Sequence, residues 1–162
     1  MDISNSWDWN AGKREIAQFG SWPTSFDWVE EPYASPDGEK IAAVVKTGEM
    51  EFSVCVNGTA WENTFDKVWY LRFAPDGRLT GIVSDTAQWT LALDGTPWEE
   101  QFDYLWDTRF TRDGKTIVCA AQQGMKYMLV NNGTPWENTF SNIGHKAVST
   151  DGSRTAAMVQ TV

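Results

Sequence analysis

The chain has 162 residues, 41% of them apolar, and its 13 basic and 22 acidic residues give a formal charge of −9. This length suffices for one domain with a hydrophobic core, and the acidic charge repels phosphate backbones, which excludes nucleic acid as an expected partner. The charge fits either plain solubility or attraction to a basic protein surface. Ten tryptophans exceed what one small core usually takes, so we expect some to be structural and others exposed.

The first twelve residues show no hydrophobic period and indicate an N-terminal tail. Trp7 and Trp9 in this tail are expected either to pack on the domain or to contact a partner. The chain opens with no signal peptide, transmembrane run or basic leader, which predicts a cytoplasmic protein in a reducing compartment. Cys55 and Cys119 both lie in apolar runs and are expected to be unpaired.

From residue 13 onward the chain repeats. Four motif tryptophans are spaced by 39, 37 and 38 residues, and four Asp-Gly pairs follow with the same spacing. The tryptophans are Trp22, Trp61, Trp98 and Trp136, and the pairs lie at 37–38, 76–77, 113–114 and 151–152. Two independent markers in step establish a fourfold repeat of about 38 residues.

Each repeat contains the signals for four short strands. In the clearest copy we predict strands over 68–73, 79–83, 88–93 and about 98–103, with a Pro-Asp-Gly turn after the first and an Asp-Gly hairpin after the third. Four antiparallel strands in a unit of this length are typical of a propeller blade, because only neighbouring blades can cover its two apolar faces. The fold class is therefore predicted to be all-β, a small β-propeller of four four-stranded blades.

The predicted domain limits follow from the repeat. Residues 1–12 form the tail and residues 13–162 the propeller, with repeats at about 28–66, 67–103, 104–140, and 141–162 completed by 13–27. The last copy ends after its second strand, whereas the N-terminal segment matches a third and a fourth strand. We therefore predict that the N-terminal strands complete the last blade, which would hide two open edges. The alternative is a larger ring made by two chains or by a neighbouring segment.

Two positions in the first strand of each repeat vary in charge and size while their surroundings stay fixed, so they are the candidates for a specialised surface. One reads Glu30, Trp69, Trp106 and Gly144, and the next reads Glu31, Tyr70, Asp107 and His145. First strands would line the axial channel, and the second set is predicted at one channel mouth. The alternative is that these residues are solvated or packed in a small ring with hardly any channel.

Other repeated residues have two interpretations each. Glu62, Glu99 and Glu137 follow the motif tryptophans, and these pairs would either wedge between blades or receive a basic partner. The wedge is favoured because the motif recurs around the ring. Arg72 and Arg109 are expected to pair with a repeated acid such as Asp76 or Asp113 rather than to bind an anion.

Catalytic and metal-binding patterns are missing from the sequence. His145 is the sole histidine, and the sequence has no Cys-x-x-Cys pair and no phosphate-binding glycine loop. We therefore predict a protein that is not an enzyme and binds no cofactor or metal.

The turn at 35–42, Ser-Pro-Asp-Gly-Glu-Lys-Ile-Ala, resembles the WD40-like propeller repeat of many bacterial proteins, over residues 13–162. Combined with the motif at 132–140, Asn-Gly-Thr-Pro-Trp-Glu-Asn-Thr-Phe, it resembles the tryptophan-rich accessory subunit of the transmembrane redox complex with which sulfate-reducing bacteria oxidise a periplasmic tetrahaem cytochrome c. The resemblance implies a cofactor-free cytoplasmic subunit beside iron–sulfur and cytochrome b-type subunits. The first and last copies depart from the motif.

The function predicted from these observations is a non-catalytic protein-interaction or assembly subunit of a membrane-associated electron-transfer complex in sulfate respiration. Such a subunit would be cytoplasmic, held at the inner membrane through its partners without inserting into the lipid. The alternative is a lectin-like propeller that stacks carbohydrate on its repeated tryptophans. The candidate partner-binding residues are Trp7, Trp9, Glu31, Trp69, Tyr70, Trp106, Asp107 and His145.

Overall fold

The structure, a computed structural model, describes residues 12–13, 15–18, 20, 22, 26–30 and 32–161. This part of the chain is built from fifteen β-strands in four successive sheets. It includes no helix long and apolar enough to cross a membrane.

The strands follow the repeat along the chain. The first sheet contains β1 (Trp28–Val29), β2 (Tyr33–Ala34), β3 (Ile41–Gly48), β4 (Glu51–Val56) and β5 (Thr59–Ala60). The second contains β6 (Lys67–Phe73), β7 (Leu79–Asp85), β8 (Gln88–Leu93) and β9 (Thr96–Pro97). The third contains β10 (Tyr104–Phe110), β11 (Ile117–Gln123), β12 (Lys126–Asn131) and β13 (Thr134–Pro135), and the fourth contains β14 (Asn142–Val148) and β15 (Thr155–Gln160).

The sheets have the topology of propeller blades. In the second and third sheets, four antiparallel strands pair in chain order, from the first strand to the short fourth strand. The all-β propeller class predicted from the repeat is thereby confirmed. The fourth strand was predicted at about 98–103, but its continuous pairing with β8 lies earlier, at Thr96–Pro97. Within the predicted range a single bridge joins Phe102 to Trp89. The backbone N–H of Trp98 still donates to the Leu91 carbonyl at 2.9 Å, and the chain then leaves the ladder until Phe102. The Trp98 side chain packs against the next sheet.

The first sheet departs from the pattern at one point. Its first strand is split into β1 and β2, which pair with opposite ends of β3. Pro32 lies in the gap, at the place that Leu71 holds inside β6. Proline has no N–H to donate to the ladder, so the strand is interrupted there.

The hairpin between the third and fourth strands is locked by its own side chain. Asn57, Asp94 and Asn132 adopt positive φ angles of 46–49° and are each followed by a glycine, as a two-residue hairpin turn requires. The side-chain oxygen of each then accepts a hydrogen bond of 2.8 Å from the first N–H of the second strand, at Ile41, Leu79 and Ile117. One Asn or Asp side chain in each hairpin thus fixes both the turn and the strand beside it.

Three of the four motif tryptophans pack on the hairpin glycine of the following sheet. Trp22 lies against Gly58, Trp61 against Gly95 and Trp98 against Gly133. Trp136 contacts the fourth sheet instead by donating from Nε1 to the Thr155 hydroxyl at 3.1 Å. Apolar clusters fill the spaces between successive sheets around these rings. The wedge interpretation of the motif is therefore supported at every junction between neighbouring sheets.

The fourth sheet contains only β14 and β15 in the described part of the chain. Residues 15–18, predicted to supply its third strand, are not in a strand, and Trp22 packs on the first sheet with Ala43, Val45 and Cys55. Completion of the last blade by 13–27 therefore stays a prediction, as do the domain limits.

The wedge can be tested with two matched glycines. A Cβ on Gly95 would lie 2.8 Å from Cγ of Trp61, whereas one on Gly77 would have no neighbour within 4 Å, although the φ angles are +88° and +82°. Both Gly77→Ala and Gly95→Ala should lose about 1 kcal/mol to left-handed strain. Gly95→Ala should lose a further ~1–3 kcal/mol by overpacking. Urea unfolding followed by circular dichroism measures both; equal losses would show that the Trp61 contact contributes nothing.

The Asp-Gly turns are stabilised by hydrogen bonds that depend on an ionised aspartate carboxylate. Ser35, Thr111 and Ser149 each donate a hydroxyl to the aspartate two residues later, at 2.5–2.7 Å. These hydroxyls, together with a backbone N–H, lower the pKa of Asp37 and Asp113. Ser149 and Ser153 lower the pKa of Asp151 to about 2. In the second copy Ala74 replaces the donor, and Asp76 pairs instead with Arg78 at 2.7 Å.

The pKa of Asp151 is lower in the folded chain than in the unfolded chain, where it is near 4. The ionised carboxylate therefore stabilises the fold above about pH 4, and this stabilisation is lost as the pH falls through about 2. Carboxyl titration by NMR should therefore give a midpoint near 2 for Asp151 in the native chain. In Ser149→Ala the midpoint should rise toward the ordinary value, while Asp113 keeps its own. A native Asp151 midpoint near 4 would contradict this account of the turn.

Candidate functional site

Five aromatic side chains form one connected group across the second and third sheets, which we call the aromatic face: Trp69, Trp89, Tyr104, Trp106 and Tyr127. Consecutive ring centroids lie 5.8–6.3 Å apart, within the range of favourable aromatic pairs. Trp69 is 40% exposed and Tyr104 41%, and the other three are partly buried. The rings thus form a supported surface rather than a core.

The strands bring these rings together from four separate places. Trp69 lies in β6 and Trp106 in β10, at equivalent points of the first strands. Trp89 and Tyr127 lie near the starts of β8 and β12, where they bridge to the motif phenylalanines Phe102 and Phe140. Because β8 packs against β10, Tyr104 fills the space between Trp69 and Trp106. The aromatic face therefore exists only when the two sheets are packed together.

A cleft of about 160 Å³ adjoins the aromatic face between the first and second sheets. Its lining includes Tyr33, Trp69 and Tyr70, with Glu30 at the same wall. Aromatic faces beside a carboxylate attract a cation such as a lysine or arginine side chain. The cleft thus gives the aromatic face an edge suited to a basic group.

Tyr70 and Asp107 mark a bulge in the first strands of the second and third sheets. Their φ angles are 54° and 53°, and the pairing register shifts at these points in both strands. Positive φ is uncommon for residues other than glycine, and a bulge re-aims the side chains next to it. Both residues were predicted to be specialised, and the structure gives them one backbone conformation that sets them apart from their neighbours.

Because of the bulge, Arg72 and Arg109 have other partners than the sequence predicted. Arg109 pairs with Asp107 at 2.9 Å, and Arg72 donates to the Tyr70 hydroxyl at 2.9 Å. The prediction that these arginines pair with a repeated acid such as Asp76 or Asp113 is therefore wrong. The left-handed residue turns its side chain toward the arginine two positions later, so the partner lies in the same strand.

A buried lysine joins the third and fourth sheets. Nζ of Lys146, whose side chain is 2% exposed, donates to Oδ2 of Asp107 at 2.6 Å, and the Asp107 side chain is 36% exposed. Burial lowers the pKa of Lys146, and Asp107 opposes that shift. Partial burial raises the pKa of Asp107, but the hydrogen bonds and charges of Lys146 and Arg109 outweigh it, so the pKa is lowered. Both groups are therefore held as an ion pair across the junction.

The remaining predicted site residues have separate locations. His145 lies exposed on β14, one residue after the exposed Gly144. Trp7, Trp9 and Glu31 lie outside the described residues. Trp69 and Trp106 belong to the aromatic face, and the ring centroid of Tyr70 lies 6.2 Å from that of Trp69. Asp107 forms the ion pair with the buried Lys146. The binding role of these residues stays a prediction.

Sequence reasoning missed Trp89, Tyr104, Tyr127 and Lys146. The sequence did indicate Trp89 and Tyr127, because the same third-strand position is aromatic in three copies, as Phe52, Trp89 and Tyr127. Tyr104 had no such signal, because its equivalents are Trp28, Lys67 and Asn142. Lys146 stands where other copies have Leu71 and Thr108, so an ordinary alignment gives it no charged counterpart.

The residues that could do chemistry are few. Within the described ranges no three histidine, cysteine, aspartate or glutamate side chains are grouped as a metal site needs. Cys55 and Cys119 are buried and unpaired. Burial raises the pKa of both thiols, that of Cys119 to about 12, so neither is a ready nucleophile.

No protein-family model matches the chain, and no curated protein matches it. A solved structure described as TolB from Acinetobacter baumannii is similar over 83% of this chain, with 18% sequence identity and a TM-score of 0.48. The chain spans 38% of that TolB chain.

The buried pair predicts unequal effects for its two members. Asp107→Asn leaves the Lys146 ammonium buried without its counter-charge and should cost about 2–3 kcal/mol, less than for a fully buried pair because Asp107 is partly exposed. Lys146→Met removes the buried charge at similar volume and should change stability by less than ~1 kcal/mol. Urea unfolding followed by circular dichroism compares the two, and a larger loss in Lys146→Met would contradict the assignment.

Proposed function

We propose that this chain is a non-catalytic protein-interaction subunit that docks a partner protein through the aromatic face. The observation that carries the proposal is the connected, partly exposed group of five rings on rigid strands. Trp and Tyr are the residues most enriched at the energetic centres of protein interfaces, because they bury much area at little entropic cost.

The frame of the fold supports an interaction role for these rings. The motif tryptophans already fill the junctions between neighbouring sheets, so the aromatic face is additional to what packing requires. Exposed aromatic side chains that touch one another on a packed sheet surface mark contact sites more often than isolated ones do. The rings are also fixed by their neighbours, which reduces the entropy lost on binding.

The charge of the chain supports a basic partner. The net charge of −9 attracts a positively charged surface over long range, and Glu30 with Trp69 and Tyr70 offers a local place for a lysine or arginine side chain. Arg72 lies over the Tyr70 ring at 5.4 Å, which shows a cation stacked at the same ring within this chain. The partner surface should therefore combine an apolar patch with basic residues.

The resemblance of the turn and tryptophan motifs supports a particular class of partner. We propose that the partner is a subunit of a membrane-associated electron-transfer complex of sulfate respiration, with iron–sulfur and cytochrome b-type subunits as the candidates. This chain would then act in assembly, without a cofactor of its own, on the cytoplasmic side of the inner membrane. It would reach that membrane through its partners.

The carbohydrate alternative depended on Trp61, Trp98 and Trp136 as open stacking faces. These side chains are partly buried and pack against the next sheet, so the structure offers little support for sugar stacking there. The aromatic face itself could stack a sugar ring, and the experiment below separates the two occupants.

The test is recovery of a partner with the tagged chain from its native cells at low ionic strength. The native chain should bring down a basic partner subunit in stoichiometric amount. The double variant Trp69→Ala with Tyr104→Ala removes two interface centres worth about 2 kcal/mol each, so affinity for the purified partner should fall at least tenfold. Biolayer interferometry measures this loss.

Trp28→Ala serves as the matched control, because Trp28 is 46% exposed and contacts Phe52 in the first sheet rather than the aromatic face. It should bind the partner as the native chain does, and circular dichroism should show all variants folded. A native chain recovered alone, a double variant with unchanged affinity, or saturable binding of a glycan at the same rings would each overturn the proposal.

A further inference from the structure

A second cleft, of about 250 Å³, lies between the third and fourth sheets. Arg109 and Phe110 of β10 form one wall with Val118 of β11, and residues 146–148 of β14 form the other. This volume is below the roughly 300–1,000 Å³ of pockets that hold drug-sized ligands, so the cleft suits a small molecule or the end of a peptide. Its walls combine apolar side chains with two cationic ones.

The two cationic side chains carry more positive charge than the acid between them can balance. Asp107 accepts a hydrogen bond from Nε of Arg109 at 2.9 Å through Oδ1, and one from Nζ of Lys146 at 2.6 Å through Oδ2. Two cations thus share one carboxylate, which leaves a net charge of +1 at the cleft. An anion with a single charge would make the group neutral.

Hydrogen-bond donors for such an anion are present. The side chain of Arg109 is 60% exposed, and its two terminal nitrogens have no hydrogen-bond partner among the residues that the structure describes. A guanidinium presents two parallel N–H groups that match the two oxygens of a carboxylate. The side chain of Lys146 is buried, so it contributes charge from within the wall of the cleft while Arg109 makes the direct contact.

The two segments that form the cleft differ in charge from the chain as a whole. Residues 105–118 and 142–154 together contain five basic and three acidic residues, whereas the whole chain contains 13 basic and 22 acidic residues. A positive region on an acidic protein attracts small anions locally. The cleft beside the aromatic face contains Glu30 and suits a basic group, so the two clefts favour ligands of opposite charge.

The equivalent place in the second sheet lacks these features. Arg72 stands at the repeat position of Arg109, but its Nη1 donates to the Tyr70 hydroxyl and its guanidinium lies over the Tyr70 ring. Thr108 takes the position of Lys146 in the third sheet. The repeated frame therefore does not require a pair of cations here, and the basic cleft is particular to the junction between the third and fourth sheets.

We propose that this cleft binds a carboxylate carried on a small apolar group. Arg109 holds the two carboxylate oxygens. Phe110, Val118 and Val148 contact the apolar part. The single negative charge matches the net charge of the site, and the apolar walls favour an organic acid over an inorganic anion. Free organic acids and the C-terminus of a peptide with an apolar last residue share this chemistry. The site is separate from the aromatic face and does not depend on the function proposed for it.

Titration with hexanoate tests the site, with the methyl signals of Val118 and Val148 followed by NMR at low ionic strength. Hexanoate should bind saturably with a Kd on the order of 1 mM or tighter. Hexanamide has the same size without the charge and should bind about tenfold more weakly or worse. No saturable shift with hexanoate, or equal binding of hexanoate and hexanamide, would overturn the proposal.

A short peptide that ends in leucine distinguishes the two sources of the carboxylate. If the peptide with a free C-terminus binds more tightly than hexanoate, and its C-terminal amide does not, the site takes the end of a protein chain. If the peptide binds no more tightly than hexanoate, the site takes a free organic acid. Both results support a carboxylate site.

Three variants assign the binding to the named side chains. Lys146→Met removes the net charge of the site, and Arg109→Gln removes the paired donors, so each should weaken hexanoate binding about tenfold or more. Arg72→Gln changes the arginine at the equivalent repeat position and should leave the Kd within about twofold of the native value. Circular dichroism verifies that each variant is folded. Unchanged affinity in Lys146→Met or Arg109→Gln, or an equal loss in Arg72→Gln, would refute the site.

Discussion

The packing of each motif tryptophan on the following sheet is the contact on which the rest of the structure depends. A single four-stranded sheet of this size has two apolar faces and is not stable alone. In three of the four copies the indole ring spans the gap to the next hairpin, where a Cβ on the glycine would lie within 4 Å of the ring. The Asn or Asp before each of these glycines accepts a hydrogen bond from the second strand through its side-chain oxygen, which fixes the hairpin. The conformation of the turn and the packing between sheets therefore stabilise one another.

Because the junctions are filled by repeated residues, the unrepeated ones are available for other roles. The bulge at Tyr70 and Asp107 is an example, since the same backbone conformation serves two different ends. In the second sheet it presents a tyrosine beside Trp69, and in the third it directs a carboxylate to the buried Lys146. A common frame thus supports an exposed aromatic face on one side and an ion pair between sheets on the other.

The repeat made much of the fold predictable. The strands predicted over 79–83 and 88–93, observed over 79–85 and 88–93, the Asp-Gly turns and the wedge followed from residue types with strong local preferences. The arginine partners did not, because a bulge of one residue reverses the direction of a side chain without a sequence signal. Pro32 indicates the break in the first strand of the first sheet, which the repeat alone did not predict. The short fourth strand depends instead on how the Trp98 side chain packs against the next sheet.

The sequence by itself determined the unit of this protein: its period, its turns, its buried strand positions and its wedge. These properties arise from contacts within about forty residues, where propensity and spacing decide. Only the tertiary structure decided that Trp69, Trp89 and Tyr104 meet in one face and that Lys146 is buried against Asp107. Each of these depends on how one sheet is placed against another, and that placement is set by packing between residues distant in the chain.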